Sequence, residues 1–503
     1  MGTASTDWTA GKLVTYYSYQ TGNWNTPNTW TLDPSGTLQI GSSIPGINDK
    51  VVILTSRTVS LSSDNTISGL DITINACGFI NQTTYRFTKT LTALRGQGTL
   101  QLASVNFPTA ASNTFVNAGG GTTEYNNTAD FTLPATQNTY NNLTINVSII
   151  PIPIIGTQLN NIILNGNLYI KQGTFRINDN LSTTPLSFTI NGNVTVDNSG
   201  SFTVGNGATN PDIGSVTVGG TAPFINYYTY FHTVIIKGNF TNNGFVRFTN
   251  LPNPVYNAFP STSPDETTGA ASVYFQGATN NTLTCNGVTD FYNLILDKGT
   301  DQTFKLTINS SNYSYFRLFG ANTLTGEAAG DNVNLRKALW IRTGTLVLQG
   351  TLIIPSLTEG VTAGSPNSDF YIPSNGALII DGVDVVILST ADDYREINVA
   401  YGVSATNNAS IGVSTGGSSA FEVYGKFQIN NGYFSTRESG GIITSNVASG
   451  QIILNGGIVD SKQFLSSTGA AQYTQTGGTF YLRGRFQRTP STYSTIDSLV
   501  SIK

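Results

Sequence analysis

The chain has 503 residues with a formal charge of −4 and a pI near 5.1, and 10% of its residues are charged while 39% are apolar. Ordinary soluble domains hold about 25% charge, so Thr, Ser and Asn must keep this surface in water, as on extracellular β-proteins. The balance leaves no basic stripe for nucleic acid or anionic lipid, no apolar run is long enough for a membrane span, and one histidine excludes multi-histidine metal sites.

Residues 1–50 hold three of the four tryptophans, Trp8, Trp24 and Trp30, among Tyr16, Tyr17 and Tyr19. Large aromatics over an open hydrophobic end make this stretch an N-terminal cap on the rest of the chain. The start, Met1-Gly-Thr-Ala-Ser-Thr-Asp7, lacks the basic and apolar regions of a signal peptide, and the end, Ile496 to Lys503, reads as a strand stopped in mid-repeat. The expectation is a mature secreted segment from the N-terminal part of a longer protein.

The phrase Gly22-Asn-Trp24-Asn-Thr-Pro-Asn-Thr-Trp30, followed by Pro45-Gly-Ile-Asn-Asp49-Lys-Val51-Val-Ile53 and Thr58-Val-Ser-Leu61, resembles the opening of large surface β-helix proteins exported by the type IX secretion system of gliding bacteria. It is more loosely similar to the G8 domain found ahead of parallel β-helices. Tyr140-Asn-Asn-Leu143-Thr-Ile145 and Phe291-Tyr-Asn-Leu294-Ile-Leu296 look like a strand phrase common in such proteins. The resemblance implies a cell-surface, adhesive or glycan-binding protein; some G8-containing proteins degrade hyaluronan, but no catalytic motif carries over to residues of this chain.

From residue 51 onward the chain is repetitive. A glycine followed two and four residues later by apolar side chains recurs at Gly98, Gly173, Gly200, Gly244, Gly344, Gly376 and Gly478, with degenerate copies at Gly432 and Gly457. The steps Gly173 to Gly200, Gly432 to Gly457 and Gly457 to Gly478 set a unit of roughly 21 to 27 residues. A second marker, Leu164-Asn-Gly-Asn-Leu168, recurs as Ile190-Asn-Gly-Asn-Val194 and Ile236-Lys-Gly-Asn-Phe240, and the stretch from Gly192 to Gly238 reads as two coils of about 23 residues. Asn and Gly supply corners, Gly200 among them, and apolar residues alternate at period two between corners. So short a unit cannot hold a core of its own and must stack on its neighbours.

The fold expected is therefore all-β, a right-handed parallel β-helix of about 18 to 20 coils, roughly 90 Å long at the strand spacing of stacked sheets. A string of β-sandwiches is the rival, without a reason for the repeated phrase. Two segments interrupt the helix over 51–503: a proline-rich loop at 250–271, and an irregular stretch at 311–337 that reads as a segment junction. Cys77 and Cys285, far apart along the chain and each in an apolar setting, read as two buried, unpaired thiols.

Candidate sites are few. Tyr227, Tyr228 and Tyr230, beside His232, offer flat rings that can stack on sugar faces, or that pack under the neighbouring loop. The densest acidic run supplies Asp381, Asp384, Asp392, Asp393, Arg395 and Glu396, the parts of a calcium-dependent polysaccharide lyase or glycoside hydrolase, with Asp392 and Asp393 as calcium ligands; as solvated turns they need no such role. Arg483, Arg485 and Arg488 form a small basic patch able to meet an acidic glycan, or a plain charged outer face. Asn-rich corners can form amide ladders between coils without any ligand. The leading expectation is an extracellular structural or adhesive stalk that needs no cofactor and contacts surface polysaccharide or other cell-surface proteins. The alternatives are the calcium-dependent enzyme and an autotransported passenger.

Overall fold

The computed structural model describes residues 13–150, 153–178, 185–205, 232–248, 271–318, 338–354, 357, 370–388, 420–436, 441–444, 450–467, 472–484 and 486–489. Apart from one 3-10 turn, Pro27–Thr29, every described element is a strand. Two compact units divide the chain: residues 1–156 with 162–173, and residues 157–161 with 174–503.

In the first unit, Val59, Ile80, Leu100, Thr123, Leu143 and Leu168 are successive partners in one parallel ladder. Each stands roughly 20 to 25 residues beyond the one before, which is the solenoid geometry the repeat predicts. A second wall stacks Thr15–Ser18, Lys50–Ile53, Asp71–Ile74, Leu91–Gly96 and Ala110–Asn113 in parallel. Its edge is the two-residue strand Trp30–Thr31, turned antiparallel against Thr15–Ser18, and so short a reversed edge offers little to an incoming strand. Trp24 and Trp30 plug the interior beneath it. Both are buried, their rings meet edge to face at 5.0 Å, Phe87 packs on Trp24 at 5.4 Å, and the Trp30 indole N–H donates to the Trp24 carbonyl at 2.7 Å. Trp8 lies outside the described residues.

The second unit has three walls. Among the described residues the first stacks nine strands, through Val194, Phe240, Leu283, Ile308, Leu348, Ile380, Ile429, Leu454 and Gln475. The second runs from Phe202 through Val246 and Thr289 to Phe316, and again from Thr351–Ile354 to Thr479–Leu482. The third runs from Ser187–Ile190 to Leu339–Ile341, and again from Phe370–Ile372 to Phe486–Thr489. Long coils are interspersed with short ones: the first wall takes long steps from Val194 to Phe240 and from Ile380 to Ile429, and short steps from Leu283 to Ile308 and from Leu454 to Gln475. The stretch from Gly192 to Gly238 is one long coil and not two, because Ile190 pairs directly with Ile236. Its extra residues, 206–231, like 249–270, 319–337, 358–369 and 389–419 in other coils, all fall between a second-wall strand and the next third-wall strand. The expected loop at 250–271 and most of the expected junction at 311–337 belong to this set and lie outside the described residues, except that Ala271 starts a strand and Phe316–Leu318 is a second-wall strand.

The other two corners are closed by stacking. Asn193 Oδ1 accepts the Asn239 N–H, and Asn239 Oδ1 accepts the Thr282 N–H, both from the following coil. At the corner between first and second walls, a Cβ on Gly244 would overlap the carbonyl oxygens of Asp197 and Gly200, and one on Gly287 would overlap the Gly244 carbonyl. Gly200 itself lies within the strand Val194–Val204, which bends there from one wall to the next, so it makes a corner without a left-handed turn. Cys77 departs from expectation in another way. It occupies a turn at φ 59° and is exposed, because the corner faces its side chain outward, whereas Cys285 is buried with its thiol pushed up to about 12 by desolvation.

Inside the second unit Phe175, Phe202, Phe248, Phe291 and Phe316 stack from coil to coil at centroid distances of 5.0 to 6.0 Å. On the other side of the same wall, Asp290 is fully buried between Arg247 at 2.8 Å and Arg317 at 2.6 Å, on three successive strands. Pairing makes that buried charge tolerable. Lys298 is also buried; its ammonium donates to the Gln276 carbonyl at 3.1 Å and to Asn281 Oδ1 at 2.5 Å, and desolvation pulls its pKa from 10.5 down to about 8.

Gly244→Ala and Gly287→Ala should each cost about 1 to 3 kcal/mol of stability in denaturant melts, since the coil spacing leaves no room for a methyl group; unchanged midpoints would overturn the clearance argument. Between pH 8 and 10.5 the unfolded chain holds a proton at Lys298 that the folded chain has released, so this residue makes stability rise with pH across that window. Comparing urea midpoints at pH 7.5 and 10, Lys298→Met should lack that increment; an identical pH slope in both proteins would rule it out.

Candidate functional site

The third wall carries the site. The strands Ala271–Gln276 and Asn293–Asp297 and the opening of the strand Leu339–Ile354 turn Val273, Leu294 and Leu339 inward, and set Tyr274, Ile295 and Trp340 side by side on the outward side as register partners. Regular alternation then fails. Leu296 pairs with Ile341 but Asp297 pairs with Thr343, so Arg342 is the extra residue of a β-bulge, a device that re-aims a side chain. The next third-wall strand, Phe370–Ile372, starts a separate five-stranded sheet, so the ladder breaks immediately beyond the bulge.

A pocket of about 160 Å³ opens at this break, lined by Asp297, Trp340, Arg342, Thr343, Tyr371 and Asn375. The Pro373 to Gly376 corner forms its far rim. That corner is held by the Gly344 N–H donating to the Asn375 carbonyl at 3.1 Å, and by the Gln302 amide donating to the Ser374 carbonyl at 3.0 Å. The Arg342 guanidinium lies 5.0 Å from the centre of the Trp340 ring. Its Nη1 is 3.4 Å from Asp297 Oδ2, an oxygen that also accepts a 2.9 Å hydrogen bond from Gln276, and its side chain remains 44% exposed. Burial raises the Tyr274 hydroxyl pKa, Arg342 opposes the shift and Asp297 adds to it. The ring of Tyr371, on the following strand, lies 6.0 Å from that of Tyr424, just beyond the strand Ala420–Val423, and the Tyr424 hydroxyl donates to Glu422 at 2.8 Å. Aromatic faces, a half-exposed guanidinium and an amide thus meet on a rigid sheet.

The residues singled out from sequence fall elsewhere. Tyr227, Tyr228, Tyr230, Asp392, Asp393, Arg395, Glu396 and Arg485 lie outside the described residues. His232 is a core residue: its Nδ1 accepts the Leu186 N–H at 2.9 Å, and Nε2 faces the Asn178 amide at 3.2 Å. Asp381 belongs to a corner ladder. Its Oδ2 accepts from Gln349 at 3.0 Å and its Oδ1 from Asn430 at 2.9 Å; Asn455 donates in turn to Asn430 at 3.0 Å, and the Thr476 hydroxyl to Asn455 at 2.9 Å. Asp384 is exposed at the start of the strand Asp384–Ile387. Arg483 is tied by two 2.6 Å bonds to the nearly buried Asp460. Among the described residues no group of three or more His, Cys, Asp or Glu side chains is arranged to hold a metal ion.

The pocket was not singled out from sequence: in Leu339-Trp-Ile-Arg-Thr-Gly344 the only mark is that an unbroken apolar run ends at Ile341, where the bulge lies. Comparison with protein-family models, with curated proteins and with solved structures finds no match for this chain. The fold and the site define a parallel β-solenoid with a surface pocket on one wall.

Removing the Asp381 carboxylate leaves two amide donors unpaired across neighbouring coils. Asp381→Ala should therefore cost about 1 to 3 kcal/mol in chemical denaturation, and Asp381→Asn, which keeps one acceptor, clearly less. Equal and negligible effects would refute the ladder role.

Proposed function

We propose that the chain is an extracellular structural and adhesive β-solenoid, a stiff stalk that contacts surface glycans, or cell-surface proteins that carry them. The observation that carries this reading is the Trp340, Arg342 and Tyr371 pocket, set on a wall whose backbone is fixed by parallel ladders. Sugar recognition asks for flat apolar faces beside planar polar groups held rigidly, and preorganisation of that kind lowers the entropic cost of binding. Support also comes from chain order: the extra residues of the long coils precede strands of the third wall, the wall that carries the pocket. A surface poor in charge and the resemblance of residues 14–75 to exported surface proteins agree with an extracellular setting.

The test is a panel of immobilised acidic and neutral polysaccharides, with calcium and with chelator, scored for retention of the intact chain and for release of sugar products. Retention that survives chelator, without release, is the expected outcome. Chelator-sensitive product release would replace the stalk with a calcium-dependent lyase or hydrolase.

A further inference from the structure

We infer that the pocket at the third-wall bulge is a subsite for a single carboxylated sugar ring, with Arg342 holding the carboxylate; this rests on the glycan-contact reading above. Three observations carry it. The first is the state of the guanidinium. Charge-assisted N–H to O bonds are normally about 2.7 to 2.9 Å long, and the Arg342 contact with Asp297 is 3.4 Å and engages one nitrogen. Asp297 therefore orients Arg342 without occupying its fork. The other donors have no protein acceptor among the described residues, while Trp340, buried beneath at 5.0 Å, fixes the group on its ring.

The second observation is size. At about 160 Å³ the pocket is smaller than the roughly 300 to 1,000 Å³ of sites that enclose drug-sized ligands, so one ring fits and a longer chain must run out along the wall. The third is the pattern of the lining. Beside Arg342 the lining includes Tyr371 and Asn375, and the Asn375 side-chain amide has no hydrogen bond to another described residue. A guanidinium fork, an aromatic ring and an amide lining one small pocket suit a hexuronate better than a neutral hexose, whose hydroxyls would leave the cation without a matched partner.

The experiment uses the full chain and short oligomers of hexuronates. Each is measured by calorimetry beside its carboxyl-reduced counterpart and beside a sulfated neutral oligomer, with Arg342→Gln and Arg342→Lys as variants checked for unchanged melting. The expected result is that at least one uronate oligomer binds about tenfold or more tighter than its reduced form, that Arg342→Gln abolishes the difference, and that Arg342→Lys, which keeps the charge and loses the fork, restores only part of it. Equal binding of acid and reduced oligomers, or insensitivity to Arg342→Gln, overturns the carboxylate assignment and leaves glycan contact standing. Preference for the sulfated oligomer over every uronate overturns it in favour of a sulfate ester. Binding of none of these oligomers, with no retention on any polysaccharide, removes both readings.

Discussion

Stacked strands lie about 4.8 Å apart, and that spacing governs the whole architecture. At a wall it is satisfied by the parallel ladder itself. At a corner, where the backbone turns and no ladder runs, each coil must lie directly on the carbonyls of the one before. Glycine at Gly244 and Gly287 is the response to that crowding, and a left-handed turn, as at Gly457, is only a second way of meeting it. The ladder from Asp381 through Asn430 and Asn455 to Thr476 is a third, in which side chains bond from coil to coil beside the backbone bonds of the same residues.

That constraint explains where the second unit is plastic. Two of its three corners carry glycine clearances and Asn side-chain bonds reaching to the next coil, so an inserted segment there would break contacts on both sides of itself. The extra length of the long coils falls, in chain order, between second-wall and third-wall strands, and a coil as long as that from Ile380 to Ile429 keeps the same register as one as short as that from Leu454 to Gln475. Added length there leaves the ladder register intact at small cost, because loop-closure entropy rises slowly with length.

Sequence periodicity was legible where it reports this spacing. The Gly-x-apolar-x-apolar phrase marks a corner followed by a wall, and its recurrence points to a parallel solenoid. It misled where an insertion has the length of a coil. The stretch between Gly192 and Gly238 can be two coils or one enlarged coil by arithmetic alone, and only the Ile190 to Ile236 pairing decides. Asp381 shows the same difficulty for a site. Its partners, Gln349 and Asn430, lie in other coils of the sequence, so its acidic neighbours were more visible than the amides that hold it.

The pocket leaves little trace in the sequence for a related reason. Nothing in Leu339-Trp-Ile-Arg-Thr-Gly344 is unusual in composition; what creates the site is a one-residue slip of that strand against Asn293–Asp297, followed by a break in the ladder to Phe370–Ile372. A perfect solenoid presents an unbroken polar wall with no concavity, and it can bind only through a flat surface. Concavity requires a local failure of the repeat. Here the failure occurs where neighbouring coils are rigid enough to keep it open, with the Pro373 to Gly376 corner pinned to the coil below and Arg342 laid on Trp340. Regular stacking supplies the stiffness, and the bulge carries Arg342 out of the pattern at the edge of the break.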